Sequence, residues 1–145
     1  MPMWTVYVPE GKFSVDERQA IAVRITDLYE RQLSFPRFWV SVVFHEQPPG
    51  GMFQGGKPAD DFVRIWIDHA LRSGVGAEDY DRFLTALWKM LAEWIRDRGL
   101  ELEIHGDETP LAFWQINGIT PPHDPRSEDW KRWQSENTSS PLTGK

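Results

Sequence analysis

The sequence predicts an α/β fold, an α+β sandwich in which two βαβ units form a four-stranded sheet with two helices on one face. The first observation behind this prediction is the order of the patterns, which run strand, helix, strand and then, after a loop rich in glycine and proline, strand, helix, strand again. The second is that two strands joined through a helix lie parallel in one sheet. The third is that each helical pattern is apolar on one side, so both helices can cover the same face.

The first unit, about residues 2–46, begins with a β-rich run at 3–8. Ser14 and Glu17 match the capping box Ser-x-x-Glu, which predicts the start of a helix. Pro36 ends this helix, because the residue before a proline avoids helical geometry. The apolar run at 38–45 then predicts a strand covered on both faces, as a central strand is.

The second unit, about residues 62–106, follows the loop at 47–61. Its first strand, 62–69, alternates between an apolar face that ends in His69 and a face that carries Trp66. A helix is predicted from about 77 to 98, where Gly99 matches a left-handed cap, and a last strand runs from 100 to 105. We therefore expect one domain at 1–135 and a solvent-exposed tail at 136–145.

Composition narrows the function classes. A net charge of −6 without a basic block argues against nucleic acid as a partner, and no apolar run is long enough to span a membrane. The absence of cysteine excludes disulfides, thiolate catalysis and cysteine-based zinc sites. The amino terminus lacks the pattern of a signal peptide, so we expect a cytoplasmic protein. No Gly-Lys-Ser/Thr follows the glycines of the loop, which argues against a nucleotide cofactor.

The strands also predict self-association. With both helices on one face, the other face of the sheet carries tryptophan and valine side chains that water does not favour. A closed homo-oligomer would cover that face.

Pro2 is the first candidate for chemistry. If Met1 is removed, the nitrogen of Pro2 becomes a secondary amine fixed at the start of a strand, and such an amine can act as a base. The alternative is that Pro2 is only the second residue of the chain and has no chemical role.

Several short blocks, in their order along the chain, resemble the tautomerase superfamily. The resemblance is closest to its cis-3-chloroacrylic acid dehalogenase group and to the related fungal proteins called oxalocrotonate tautomerases. It covers roughly residues 2 to 134 and is carried by the Met-Pro start and by blocks at 25–27, 47–48, 55–56, 64–69, 72–74, 105–109, 114–118 and 121–122.

The resemblance implies the tautomerase (MIF-like) fold, in which three subunits form a trimeric barrel with the helices outside. It also implies a cofactor-free enzyme that uses the amino-terminal proline on a small carboxylic acid. Tautomerases of this kind move a proton between the carbon and the oxygen of a 2-keto acid and its enol. The dehalogenase group instead adds water to an unsaturated acid.

The family's site residues carry over only in part. The catalytic proline falls on Pro2, and the first substrate-binding arginine falls on Arg72. The family's helix histidine falls on Tyr29, and its last-strand tyrosine falls on His105, so both are candidate catalytic residues here.

Two positions depart from the family pattern. The second arginine falls on Val75, and the glutamate that activates water falls at or near Ile116. These departures favour keto–enol chemistry over a haloacrylate dehalogenase or hydratase. They also leave open a non-catalytic binding or interaction protein on the same trimeric scaffold.

His69 and Asn117 are further candidates, as substrate-binding residues. The alternative for His69 is a histidine held by a neighbouring carboxylate or carbonyl group. A metal site built from His45, His69, His105 and Asp107 is conceivable, but no local ligand spacing supports it, so no metal is predicted.

Overall fold

Nine regular elements make up the chain in the computed structural model, which describes residues 1–70 and 75–143. The first unit contains β1 Met3–Pro9, α1 Val15–Leu33 and β2 Ser41–Gln47. A small hairpin follows, with β3 Phe53–Gln54 and β4 Lys57–Pro58. The second unit contains β5 Phe62–Ala70, α2 Ala77–Met90 and β6 Glu101–Thr109, and the chain then reaches α3 Glu128–Glu136.

The main sheet has four strands in the order β2-β1-β5-β6. β1 pairs parallel with β2, and β5 pairs parallel with β6, which confirms the two βαβ units. The two units meet through the antiparallel pair β1 and β5. Trp4 of β1 contacts Tyr29 of α1, and His69 of β5 contacts Phe83 of α2, so both helices lie on the same face of the sheet.

One strand differs from its prediction. β2 lies at the edge of the sheet, and its residues are only partly buried or exposed, so the prediction of a central strand covered on both faces is wrong. The apolar run that suggested it also contains Phe38 and Trp39, which lie in a 3₁₀ turn before the strand. These two aromatic side chains pack against Trp133 of α3.

The start of α1 confirms the predicted capping box. Ser14 Oγ accepts from the backbone N–H of Glu17 at 3.2 Å, and Glu17 Oε2 accepts from the backbone N–H of Ser14 at 2.8 Å. The helix ends at Leu33, followed by Ser34 in the left-handed conformation with φ 55°. Its buried face consists of Ile21, Ile25 and Tyr29, in agreement with the predicted spacing.

α2 is shorter than predicted. It ends at Met90, and the chain continues through a turn and a 3₁₀ segment, Arg96–Arg98, to Gly99 with φ 70°. Backbone bonds to the third residue back, such as Trp94 N–H to Leu91 O at 3.1 Å, replace the α-helical pattern there. Leu91 and Ile95, on the predicted apolar side, are nevertheless buried, whereas Tyr80 and Leu84 on that side are 39% and 37% exposed.

α3 lies over an aromatic cluster, which we define as Phe35, Trp39, Trp130 and Trp133. The rings of Trp39 and Trp130 lie 4.8 Å apart, and those of Phe35 and Trp39 lie 5.3 Å apart. All four side chains are buried. Much of the tryptophan in this sequence therefore serves to attach α3 to the end of α1 and to the turn after it.

Residues 137–143, in the predicted tail, are exposed or partly buried and fold back along α3. Ser140 O accepts from the indole N–H of Trp133 at 2.8 Å, and Asn137 Oδ1 accepts from the backbone N–H of Phe38 at 2.9 Å. Thr143 donates from its backbone N–H to Asp129 Oδ1 at 3.0 Å. These are long-range or return contacts, which local sequence patterns do not reveal.

The second face of the sheet is uncovered in the single chain. Its side chains include two stacked pairs, Tyr7 on His45 with ring centroids 5.2 Å apart and Trp66 on His105 at 5.8 Å. Trp66 is 42% exposed despite its size. Within the described ranges, no helix combines the length and the apolar character needed to cross a bilayer.

Candidate active site

The chain starts inside the protein. Pro2 is fully buried, and Met1 is only 4% exposed. The carbonyl oxygen of Pro2 accepts from the backbone N–H of Ser41 at 3.0 Å, which ties the start of β1 to β2. Burial lowers the pKa of the Met1 amino group to about 5, because an ammonium ion is poorly solvated there, and the charge of Asp68 opposes this effect in part.

Strand register aligns the first strand with two candidate residues. Met3 pairs with Asp68 across β1 and β5, so the next position along places Pro2 opposite His69. His69 in turn pairs with Glu108 across β5 and β6. A row across three strands is therefore formed by Pro2, His69 and Glu108. It lies two positions along from the row of Trp4, Ile67 and Gly106, so both rows are on the helix-covered face of the sheet.

Two adjoining clefts open where His69 and Glu108 of this row meet α2, and Pro2 is not among the described residues that line them. One measures about 610 Å³ and extends towards Ala70 and Val75, and the other measures about 410 Å³ and extends towards Ile104. Four side chains line both: His69, Tyr80, Phe83 and Glu108. We call the two together the α2 cleft.

The polar groups of the α2 cleft are connected to one another. Tyr80 donates from its hydroxyl group to Glu108 Oε2 at 3.0 Å. The other carboxylate oxygen, Oε1, lies 3.7 Å from His69 Nε2. The hydrogen bond to Glu108 raises the pKa of Tyr80, so this phenol stays protonated and remains a donor.

Tyr29 lies beneath the cleft. Its hydroxyl oxygen accepts from Trp4 Nε1 at 3.1 Å, and its ring meets those of His69 and Phe83 edge-on at 6.4 Å and 6.2 Å. Burial raises the pKa of Tyr29 further than the hydrogen bond from Trp4 lowers it. The structure thus brings Tyr29 close to His69 as a neutral, buried side chain.

The side chain of His105 lies on the opposite face of the sheet from Pro2, although residue 105 also contributes to the lining of the smaller cleft at the sheet edge. It pairs with Trp66 in register, stacks on that ring, and has Nδ1 3.0 Å from Arg64 Nη2. His45 is on the same uncovered face, stacked on Tyr7. Because His69 is on the other face, the conceivable metal site from His45, His69, His105 and Asp107 does not assemble within one chain.

Asn117, another predicted site residue, is not brought to the row. Asn117 sits in an exposed turn with φ 52° and donates from Nδ2 to Ser139 Oγ at 3.0 Å. Arg72 lies outside the described residues. Val75, the position of the family's second arginine, does line the larger cleft.

Sequence reasoning missed Tyr80 and Glu108. Tyr80 lies within the predicted helix at 77–98, and Glu108 follows the predicted end of the last strand at 105, whereas β6 continues to Thr109. A strand continued past Gly106 would have placed Glu108 on the same face as Ile104, and pairing with β5 would have set it beside His69. The alternation of side chains along a longer β6 was therefore the sequence signal that could have identified Glu108.

Comparison with known proteins identifies the family of this chain. Residues 1–138 match the family described as "putative oxalocrotonate tautomerase enzyme". The chain belongs to this family. The match spans nearly the whole domain and confirms the resemblance to the tautomerase superfamily. A comparison with curated protein sequences gives no match.

Solved structures extend the comparison. RhCC from Rhodococcus jostii RHA1 is 37% identical, with a TM-score of 0.90 over 97% of this chain and 99% of that chain. A protein described as a probable enzyme from the thermophilic fungus Aspergillus fumigatus is 32% identical, with a TM-score of 0.89 over 98% of each chain. A member of the cis-3-chloroacrylic acid dehalogenase family, at 23% identity and a TM-score of 0.72 over 93% of this chain and 97% of that chain, shares the fold.

Proposed function

We propose that this tautomerase-family chain is a cofactor-free enzyme that interconverts a small 2-keto acid and its enol, with the amine of Pro2 as the general base. The proposal requires removal of Met1, which leaves Pro2 at the amino terminus. The observation that carries it is the buried start of β1, in a row with His69 and Glu108, and these two side chains line an open cleft.

Burial supplies the chemical reason. A terminal amine in water is protonated at neutral pH, because its ordinary pKa is about 8 and that of a secondary amine is higher. The setting that lowers the pKa of the Met1 amine to about 5 would also lower that of a Pro2 amine one residue further along. A base whose pKa lies near the working pH transfers protons efficiently.

The remaining parts are assigned as follows. The neutral amine of Pro2 accepts a proton from the carbon next to the keto group, and His69 lines the pocket in which the acid binds. Arg72 is proposed to bind the substrate carboxylate, because the family's first substrate-binding arginine falls there and a guanidinium group pairs with a carboxylate in two parallel hydrogen bonds. Tyr29, beneath the cleft, supports His69.

We further propose that three copies form the barrel implied by the family resemblance, joined through the uncovered face. In such a trimer, His105 on that face of one subunit would be available to the pocket of a neighbour. Asn117, bonded to Ser139 in an exposed turn, has no part in this proposal.

The test is the ketonisation of phenylenolpyruvate, followed by ultraviolet absorbance with protein whose loss of Met1 is verified by intact mass. We expect turnover by the wild type and a fall in kcat/KM of about 100-fold or more in Pro2→Ala, which lacks the ring that fixes the amine. The matched control is the same chain isolated with Met1 retained, which should be inactive because its Pro2 nitrogen is an amide.

Equal activity in wild type and Pro2→Ala would remove Pro2 from the mechanism. No turnover by the Met1-free wild type would instead favour the non-catalytic binding protein. Titration calorimetry with pyruvate and phenylpyruvate would then report whether the pocket still binds a keto acid.

A further inference from the structure

Among the described residues, Glu108 is the one carboxylate that lines both parts of the α2 cleft, and it contacts two other side chains there. It comes from β6, whereas its contacts come from α2 and β5. Its side chain is 19% exposed, so it is largely shielded but open to the cleft. Each of its two oxygens faces a different group, which holds the carboxylate in one orientation.

The proposed chemistry assigns no residue to the proton on the enol oxygen of the substrate. Pro2 serves the carbon atom of the substrate, and the oxygen atom of the enol needs a second group to exchange its proton. The family's water-activating glutamate falls at or near Ile116, which cannot do this. Ile116 lies instead in a short bridge with Ile119, after β6 has ended.

We propose that Glu108 is the second acid–base residue of this site, acting on the substrate oxygen, with Tyr80 and His69 as the residues that position its carboxylate. This inference rests on the proposed function of Pro2. In the row of three strands, Pro2 and Glu108 are two strand spacings apart, about 10 Å between backbones. His69 lies between them in this row and lines the cleft, so a small 2-keto acid that contacts both Pro2 and Glu108 would lie over His69.

The proton transfers balance. In the enol-to-keto direction, the protonated Pro2 amine gives its proton to carbon 3, the carbon–carbon double bond supplies the electron pair for the new C–H bond, and the enol O–H proton passes to the Glu108 carboxylate as the keto group forms. The products are neutral Pro2, protonated Glu108 and the keto acid. The keto-to-enol direction reverses each transfer, and solvent exchange restores the starting state.

The charged surroundings are compatible with this role. His69 faces Glu108 from β5, and Tyr80 faces it from α2. Asp79 and Arg82, also on α2 and in the cleft lining, pair with each other. Because the raised pKa of Tyr80 keeps its phenol protonated, the carboxylate is held by a neutral donor and can still take up a proton.

The experiment compares wild type with Glu108→Gln in the Met1-free protein, with phenylenolpyruvate as substrate. We expect kcat to fall about 100-fold, which is the usual contribution of an acid–base group. KM should stay the same or decrease, because the amide no longer repels an anionic substrate. The pH profile of kcat/KM should lose its acidic limb, which reports Glu108, and keep its basic limb, which reports the Pro2 amine.

Three variants separate catalysis from structure. Glu128→Gln, the same change at an exposed site on α3, should leave kcat and the pH profile unchanged. Tyr80→Phe keeps the carboxylate but removes one of its contacts, so kcat should fall by only about 10-fold and the acidic limb should shift without disappearing. If Glu108→Gln lowers the melting temperature, Glu108→Asp, which retains an acid, should retain the acidic limb.

The two proposals fail in different ways. Wild-type turnover that depends on Pro2, together with an unchanged kcat and acidic limb in Glu108→Gln, would overturn the role of Glu108 alone. A wild type that is inactive, or equally active as Pro2→Ala, would overturn the function of Pro2 and the proton transfer assigned to Glu108 with it.

Discussion

Tyr29 illustrates how single residues in this core satisfy their polar atoms. Its side chain is fully buried, yet its hydroxyl oxygen accepts the indole N–H of Trp4 at 3.1 Å. The same ring stacks on Phe35 at 5.8 Å and meets His69 edge-on. One residue of α1 thus connects the first strand, the aromatic cluster and the α2 cleft.

Tyr29→Phe should lower the free energy of unfolding by about 1–3 kcal/mol, because the buried indole N–H of Trp4 would lose its acceptor. Urea denaturation followed by tryptophan fluorescence measures this change. The matched control is Tyr7→Phe, whose ring stacks on His45 on the uncovered face, and it should change stability by less than about 0.5 kcal/mol. Equal stability of Tyr29→Phe and wild type would contradict the importance of this bond.

At the scale of elements, α3 and residues 137–143 form one packed unit against the end of α1. Trp130 donates from its indole N–H to Ser34 O, and Trp133 donates to Ser140 O, each at 2.8 Å. The first bond ties α3 to the end of α1, and the second ties the last residues back to α3. Both tryptophans are at most 3% exposed, so α3 contributes to the core although it lies outside the two βαβ units.

Trp133→Ala should reduce the free energy of unfolding by about 3–5 kcal/mol, the usual cost of removing a large buried aromatic side chain. Chemical denaturation monitored by circular dichroism gives the value. Trp88→Ala on α2 is the matched control, because Trp88 is 40% exposed, and it should cost less than about 1 kcal/mol. Similar losses of stability for the two variants would show that the packing of α3 does not contribute to the core in this way.

At the scale of the whole molecule, the sheet has one covered and one uncovered face. Both edge strands, β2 and β6, lack a second neighbour in the main sheet of the single chain. Unpaired edges and an exposed aromatic face both favour association, because pairing satisfies backbone groups and burial removes apolar surface from water. The proposed trimer would both pair the edge strands and cover the exposed aromatic face.

Light scattering should give the wild type a mass of three chains. Trp66→Glu should shift it towards one chain, because a new carboxylate beside Asp107, which now accepts from Trp66 Nε1 at 2.8 Å, introduces repulsion on the uncovered face. Trp88→Glu, a change of similar exposure on α2, should remain trimeric. A monomeric wild type would refute the trimer, and an unaffected Trp66→Glu would place the contact elsewhere.

Local patterns predicted the parts of the fold that depend on near neighbours. The capping box of Ser14 and Glu17 spans three residues, and the buried face of α1 follows from helical spacing, so both were readable from the sequence. The alternation in β5, with Val63, Ile65 and Ile67 all at most 2% exposed, was predicted for the same reason.

Other features depend on residues far apart in the chain. The prediction that β2 is a central strand was wrong because the apolar residues Phe38 and Trp39, which pack against α3, look in the sequence like part of a buried strand. Glu108 was missed because β6 continues past Gly106 only through pairing with β5, where His69 meets Glu108 and Ala70 meets Thr109. Pro2, as a candidate base, was identified from its position in the sequence, but its row with His69 was not.

The sequence by itself therefore determined the two βαβ units, the faces of their helices and the chemical identity of the proposed base, because these follow from periodicity, capping and residue type. Only the tertiary structure decided that His69, Tyr80 and Glu108 meet in one cleft. Strand register brings together positions separated by dozens of residues, and a shift of one position would send His69 and Glu108 to the other face of the sheet. The grouping of His69 with Glu108 in the α2 cleft thus depends on strand pairing, and no local segment of the sequence contains it.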